Sequence, residues 1–331
     1  MIKSLTAFLT SFVFSVALMP LIIKFFKRKQ ASQTILGYVE NHKEKNGTLT
    51  MGGVVFMITT LVLSFFFLNF NTCWFICLLV SVFFGVLGLM DDYIKIKFKQ
   101  NLGLKAYQKI IGQVGISLIF AIYVYFSTQG GQIFLPFSEK VIDIGFWIIP
   151  LIVLVMVATT NSVNLTDGLD GLAGNVTNIY LIFFVIIITI LQNNLYMSGE
   201  TGAIIQKFSD IRVLSMLFVG ALLGFLMFNT NNASIFMGDA GSLCLGGFVG
   251  ASACVLGQAL LIPILGFCFM FSAISVILQV AMFKLKRKRI FKMAPFHHHL
   301  QMCGLKEPKI VAMYSAVTAC FGVLSVILYL L

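Results

Sequence analysis

Several of the twelve acidic residues in this 331-residue chain stand at the ends of long apolar runs. Asp91 and Asp92 close one run, Asn161, Asn164, Asp167 and Asp170 recur at every third position beyond another, and Gly238-Asp239 opens a third. His297, His298 and His299 follow the most basic stretch of the sequence. Carboxylates beside lipid are costly unless they bind a cation or a substrate. Adjacent carboxylates such as Asp91 and Asp92 repel in a low-dielectric setting unless one is protonated or a divalent metal lies between them. The competing explanation is a solvated helix end partnered by Lys95 and Lys97, and ion pairs of that kind are common enough to balance the two.

The row from Asn161 to Asp170 offers only oxygen ligands, with Gly168, Gly171 and Gly174 interleaved to let a polar ligand approach. That donor set suits a hard cation such as Mg²⁺, which keeps waters and shares substrate phosphates. A capped polar turn is the simpler alternative. Asp239 at a helix start is either an N-cap or a metal ligand beside backbone N–H groups that favour a phosphate. Phe236, three residues earlier, could stack on a nucleobase, although a phenylalanine here is by itself more often membrane packing. Three consecutive histidines point in different directions, so contacts to phosphate or carboxylate are favoured over chelation of one ion. Upstream, His42, Lys43 and Lys45 precede Gly47, Thr48, Thr50, Gly52 and Gly53; a topological anchor explains the lysines but not the small residues.

The elements that must position these residues are membrane spans. The chain is 59% hydrophobic and 11% charged, with mean hydropathy +0.98, and no soluble domain hides that much apolar surface. A span needs about 20 apolar residues. About ten meet that rule, near 4–24, 52–70, 72–90, 108–127, 141–160, 171–191, 211–228, 240–257, 259–283 and 309–331. The fold class is therefore all-α and polytopic, a single unit over 1–331. Lys24, Lys27, Arg28 and Lys29 follow the first run without a cleavage site, so it reads as a retained span rather than a signal peptide. The seven cysteines are scattered and read as small apolar fillers.

Eighteen of the 23 basic residues fall in the loops after spans one, three and nine, which argues for cytoplasmic loops and against nucleic acid. Both termini are then external, and the polar clusters converge on one cytoplasmic face formed by 24–51, 91–107, 161–171, 229–239 and 284–308.

In order and spacing, Lys45 to Gly53, Met90 to Tyr93, Asn101 to Lys109, Asn161 to Ala173, Phe236 to Leu243 and Ala294 to Leu300 together resemble the phospho-N-acetylmuramoyl-pentapeptide transferase family. Each motif is modest alone, and the ordered set is specific. Leu49 stands where the family usually has proline, which alters loop stiffness more than chemistry. The resemblance implies a Mg²⁺-dependent transferase of the bacterial cytoplasmic membrane. It would move phospho-MurNAc-pentapeptide from UDP to undecaprenyl phosphate, giving lipid I and UMP for peptidoglycan synthesis. It places Asp91 and Asp92 near the acceptor phosphate, Asp239 and Asp167 at the metal, and Asn161, Asn164 and Asp170 with Asp167 about the nucleotide pocket. Phe236 would stack on uracil, and Lys45, Lys105, Lys109 and His297 to His299 would bind diphosphate or sugar-peptide. Direct attack is favoured over a covalent aspartyl intermediate, and a homodimer is compatible. Two rivals remain: a transferase of GlcNAc-1-phosphate to a polyprenyl phosphate, and an ion-coupled transporter, for which the carboxylates should lie at the bilayer midplane.

Overall fold

A computed structural model of the chain describes residues 1–29, 47–98, 103–127, 130–138, 140–200, 202–230 and 232–331. It is built from helices α1 (Ile2–Arg28), α2 (Val54–Phe67), α3 (Thr72–Lys97), α4 (Ala106–Ser127), α5 (Ile148–Thr166), α6 (Leu172–Met197) and α7 (Ala203–Asn229). Then follow α8 (Gly238–Val255), the single turn α9 (Ile262–Leu265), α10 (Phe267–Lys286), the short α11 (Phe296–Met302) and α12 (Glu307–Leu330). One hairpin, β1 (Gln132–Phe134) with β2 (Val141–Asp143), joins α4 to α5. Among the described residues nine helices are long and apolar enough to cross a membrane, and α2 adds a shorter apolar helix of 14 residues. The chain is thus an all-α polytopic membrane protein.

The centre of the bundle is α8. It is the least apolar of the nine long helices and the most buried, with every residue from Ala240 to Val255 inside the protein. A helix wrapped by other helices rather than lipid tolerates glycine, serine and cysteine, and these small residues let neighbours approach closely. Ser81 of α3, for example, donates to the Cys244 carbonyl at 2.9 Å.

A second seam joins α1 to α7. The buried face of α1 is Ser4, Ala7, Ser11, Ser15 and Met19, and Ser15 donates to the Ala221 carbonyl at 2.8 Å. Opposite it stand Gly220 and Gly224, a small-residue pair four apart. A Cβ at Gly220 would lie 2.2 Å from the Phe8 carbonyl oxygen and from Ser11 Oγ. Contacts advance along both helices together, so α1 and α7 run parallel.

At one end of the bundle the hairpin packs on the turn after α8: the Phe134 N–H donates to the Gly257 carbonyl at 3.2 Å. Tyr329, in the last turn of α12, donates to Gln258 Oε1 at 2.6 Å in the same layer. The polar clusters lie at the opposite end. The expected span at 141–160 is displaced, because Val141 to Asp143 pair with Gln132 to Phe134 and the helix starts only at Ile148. The expected run at 259–283 is interrupted near Gly266, so that only Phe267 to Lys286 form a long helix.

Gly220→Ala is expected to lower the thermal unfolding midpoint by forcing the α1–α7 seam apart, a penalty of about 1–3 kcal/mol for overpacking. Gly115→Ala, on α4 with open space around its Cβ position, should not. Differential scanning fluorimetry in detergent compares them.

Candidate active site

Each carboxylate reaches the site by a different local route. Asp91 and Asp92 sit in the final two turns of α3, where the helix dipole disfavours negative charge. Lys95, one turn on, offsets this, its Nζ lying 2.6 Å from Asp91 Oδ2 and 3.7 Å from Asp92 Oδ1. Asp239 is in the first turn of α8, where the dipole favours it. The two helices touch backbone to backbone, since a Cβ at Gly88 would meet the Asp239 carbonyl oxygen at 2.2 Å. Asp92 completes the join by accepting the Ala240 N–H at 3.1 Å, satisfying a donor that the start of α8 would otherwise leave open. Asp91 in turn accepts the Leu104 N–H at 2.8 Å.

Carboxylate oxygens of Asp91, Asp92 and Asp239 all lie within 4.8 Å of one another, a group able to hold a metal ion. Asp239 is the hub. Its Oδ2 receives Lys95 Nζ at 2.9 Å and Lys109 Nζ, from α4, at 2.8 Å, while its Oδ1 accepts from Asn164 of α5 at 2.8 Å. Asn164 also donates to Ser242 Oγ, one turn along α8, at 2.8 Å. Four helices therefore converge on one carboxylate. Three hard oxygen donors in a small volume fit Mg²⁺, and the Lys95 ammonium lies within reach of all three.

The row from Asn161 divides at the helix end. Asn161 and Asn164 remain on α5, and Asp167 to Gly171 form the turn into α6. Asn161 does not reach the carboxylates. It pairs with Gln113 of α4, donating to Oε1 at 2.6 Å and accepting from Nε2 at 3.3 Å. Asp170 accepts the Ala233 N–H at 3.2 Å. Asp167 keeps part of its surface open although it lies deep in the protein. Burial, and then repulsion from Asp239, Asp92 and Asp170, pushes its carboxyl up to about 8. It is not one of the three clustered carboxylates.

The segment around Phe236 is held by the small residues before α2. Phe236 N–H donates to the Leu49 carbonyl at 2.7 Å, and the Gly52 and Gly53 N–H groups donate to the Phe236 and Met237 carbonyls at 2.8 and 3.0 Å. This fixes the Phe236 backbone and leaves its ring partly exposed. The histidines diverge, as expected of consecutive residues. His297 is fully buried with neither ring nitrogen hydrogen-bonded, and a Cβ at Gly168 would lie 2.2 Å from its Nε2. Burial, and then the neighbouring His298, pulls its basicity down to about 3, so it is neutral at physiological pH. His298 also borders Gly168, its Nδ1 paired with Gln301 Oε1 at 3.0 Å, whereas His299 Nδ1 accepts the Lys292 N–H at 3.1 Å. Lys105 is exposed, next in sequence to the Leu104 whose N–H bonds Asp91; Lys45 lies outside the described residues.

Lys95 and Gln113 are the residues that pattern reading undervalued. Lys95 is one helical turn from Asp91, a spacing that signals an ion pair but not its burial among three acids. Gln113 lies one turn beyond Lys109 on α4, and only the fold reveals its partner.

The fold is thus a polytopic helical bundle with clustered carboxylates and lysines gathered at one end. The family model described as glycosyl transferase family 4 matches residues 74–257. The phospho-N-acetylmuramoyl-pentapeptide-transferase of Clostridioides difficile (strain 630) is 39% identical over 321 residues, covering 96% of this chain and 95% of that one. The enzyme of that name from Clostridium novyi (strain NT) is 42% identical, covering 95% and 92%, and that from Halalkalibacterium halodurans is 38% identical, covering 98% and 97%. The chain belongs to the phospho-N-acetylmuramoyl-pentapeptide-transferase family.

Two outcomes test the electrostatics. Asp167 holds its proton at pH 7 because its carboxyl titrates near 8, and a cation among Asp91, Asp92 and Asp239 would cancel part of the repulsion that raises it. Adding Mg²⁺ at pH 7.4 should therefore release protons, and Asp167→Asn should release fewer, as read by an indicator dye in weak buffer. Lys95→Ala removes the competing ammonium, so Mg²⁺ should raise its thermal midpoint more than that of the wild type.

Proposed function

We propose that the chain transfers phospho-MurNAc-pentapeptide from its UDP carrier to undecaprenyl phosphate, releasing UMP and forming lipid I. The observation that carries this reading is the Asp91–Asp92–Asp239 group, bridged by Lys95 and joined at Asp239 by Lys109, at one end of an apolar bundle. A soluble nucleotide donor and a prenyl acceptor must meet where water borders lipid, and a cluster at the helix ends supports that geometry. The same placement weighs against the ion-coupled transporter, whose carboxylates belong near the midplane.

In the reaction a phosphate oxygen of the acceptor attacks the phosphorus that carries the sugar. The bond from that phosphorus to the oxygen bridging it to the uridylyl phosphorus breaks, and UMP leaves with that oxygen. One phosphoanhydride replaces another, so the equilibrium is near balance. The barrier is the approach of two anions. Lys95 and Lys109 offset the developing charge, and Asn164 holds Asp239 in one orientation. Asp91 or Asp92 takes any proton left on the attacking oxygen. Asp239, Asp91 and Asp92 would hold Mg²⁺, with Asp167 beside them; when bound it neutralises diphosphate charge. We favour direct attack over a covalent aspartyl intermediate. Phe236 is assigned to the uracil face, and Asp170 and the Asn161–Gln113 pair to the walls of the nucleotide pocket. His297 and His298, neighbours of Gly168, are assigned to the phosphate or sugar-peptide side.

The basic residues from Lys284 to Lys292, all on the same end as the carboxylates, support a cytoplasmic orientation for this face in the bacterial inner membrane. With undecaprenyl phosphate and Mg²⁺ in detergent, UMP should appear from UDP-MurNAc-pentapeptide and not from UDP-GlcNAc. Asp239→Asn should cut turnover by about 10²-fold or more, the scale for removing one preorganised charge-stabilising group. Release from UDP-GlcNAc alone would move the chain to the sister activity.

A further inference from the structure

The strap between α10 and α12 is tied to the lipid-facing helix by two side chains, chiefly Gln279. Gln279 lies on α10 among the exposed Ile277, Leu278 and Val280. Its Nε2 donates to the Phe291 carbonyl at 3.0 Å, and its Oε1 accepts the Ile290 and Phe291 N–H groups at 3.1 and 3.0 Å. One turn earlier on the same helix, Ser275 Oγ accepts the Phe296 N–H at 3.0 Å and donates to the Ser272 carbonyl at 2.6 Å. Lys292 closes the strap onto α11, its N–H on His299 Nδ1 and its Nζ on the Met302 carbonyl, both at 3.1 Å.

This arrangement has more than backbone satisfaction in it. Helix α11 has only seven residues, too few to stand without anchors. It nevertheless presents His297 and His298 against Gly168, next to Asp167, in a contact with no room for a Cβ. The strap residues Lys288 to Pro295 form no helix or strand of their own, so the seat of α11 depends on where the strap is pinned, together with the Phe296–Phe271 ring contact. Both pins lie on one face of α10, at Ser275 and Gln279. A hydrocarbon side chain at 279 would take the partner from three backbone polar groups and leave the strap to find others.

We propose that Gln279, seconded by Ser275, is a positioning residue: it sets the seat of His297 and His298 over the Asp167-Gly168 turn and so couples the lipid-facing helix α10 to the phosphate side of the site. The proposal rests on the assignment of those histidines to the site under the proposed function.

The test measures UMP release by the full-length protein in detergent for Gln279→Leu, Gln279→Glu and Ser275→Ala, with His298→Ala as the control on the assignment. Gln279→Leu should lower kcat by about 10- to 100-fold while the donor KM moves by no more than about threefold, the signature of misplaced transition-state groups. Gln279→Glu keeps the acceptor oxygens and should retain an intermediate kcat. Thermal midpoints should stay within a few degrees of the wild type. If Gln279→Leu does not fold, Ser275→Ala carries the same test with a smaller fall in kcat. Turnover within twofold of wild type in Gln279→Leu, beside a large loss in His298→Ala, overturns the positioning role and leaves the histidine assignment standing. Loss of kcat in step with lost thermal stability across the series also overturns it, as a purely structural tie. Unchanged turnover in His298→Ala removes the assignment itself, and the proposal with it.

Discussion

The Lys95 ammonium, set among Asp91, Asp92 and Asp239, is the interaction on which the rest of this structure depends. Three carboxylates within 4.8 Å cannot share a low-dielectric site without cationic company. Lys95 supplies it from the same helix as two of them, and Lys109 adds a second charge from α4. Removing one member of such a group leaves the others buried and uncompensated, a loss of about 3–5 kcal/mol in comparable pairs. The cluster is therefore both the chemistry and a constraint on the fold, because each participant dictates where its helix must end.

That constraint explains the architecture around α8. A central helix made of small residues allows α3 to approach until Gly88 meets the backbone of Asp239, and this contact brings Asp92 to the Ala240 N–H. The pairing of Gln113 with Asn161 does the same one turn deeper, locking α4 to α5 at the depth where Lys109 and Asn164 are both aimed at Asp239. Amide pairs suit this task, since each group donates and accepts, and no charge is buried.

Much of this could be read from the residues. Apolar runs of span length located nearly all the long helices, and the polar residues interrupting them located the end that carries the site. What escaped was set by partners distant in sequence. The strand at Val141 to Asp143 looked like the start of a helix, because short apolar runs carry no period that separates the two. Lys95 could be read as a solvated partner of Asp91, since nothing in a local pattern reports that Asp239 closes over it. The every-third-residue row read as one set of oxygen ligands, yet Asn161 turns to Gln113 while Asp170 reaches Ala233 across the turn. The small residues at Gly52 and Gly53 lacked a partner in the sequence, and the fold supplies one in the Phe236 and Met237 carbonyls.

The seam between α1 and α7 also carries a consequence for biogenesis. Ser15 and Ala221 are 206 positions apart, so α1 enters the bilayer long before the helix it will pack against has been synthesised. During that interval its serine stripe has no α7 to face. The stripe is equipped to wait, because a serine hydroxyl such as Ser11 Oγ can donate to a carbonyl of its own helix, here Phe8 at 3.0 Å. Closure of the seam belongs to the late stage of assembly, after the intervening helices are in place, and it is driven by close packing rather than by exclusion of water. Helix α1 thus meets its principal packing partner, α7, only after most of the chain has been made.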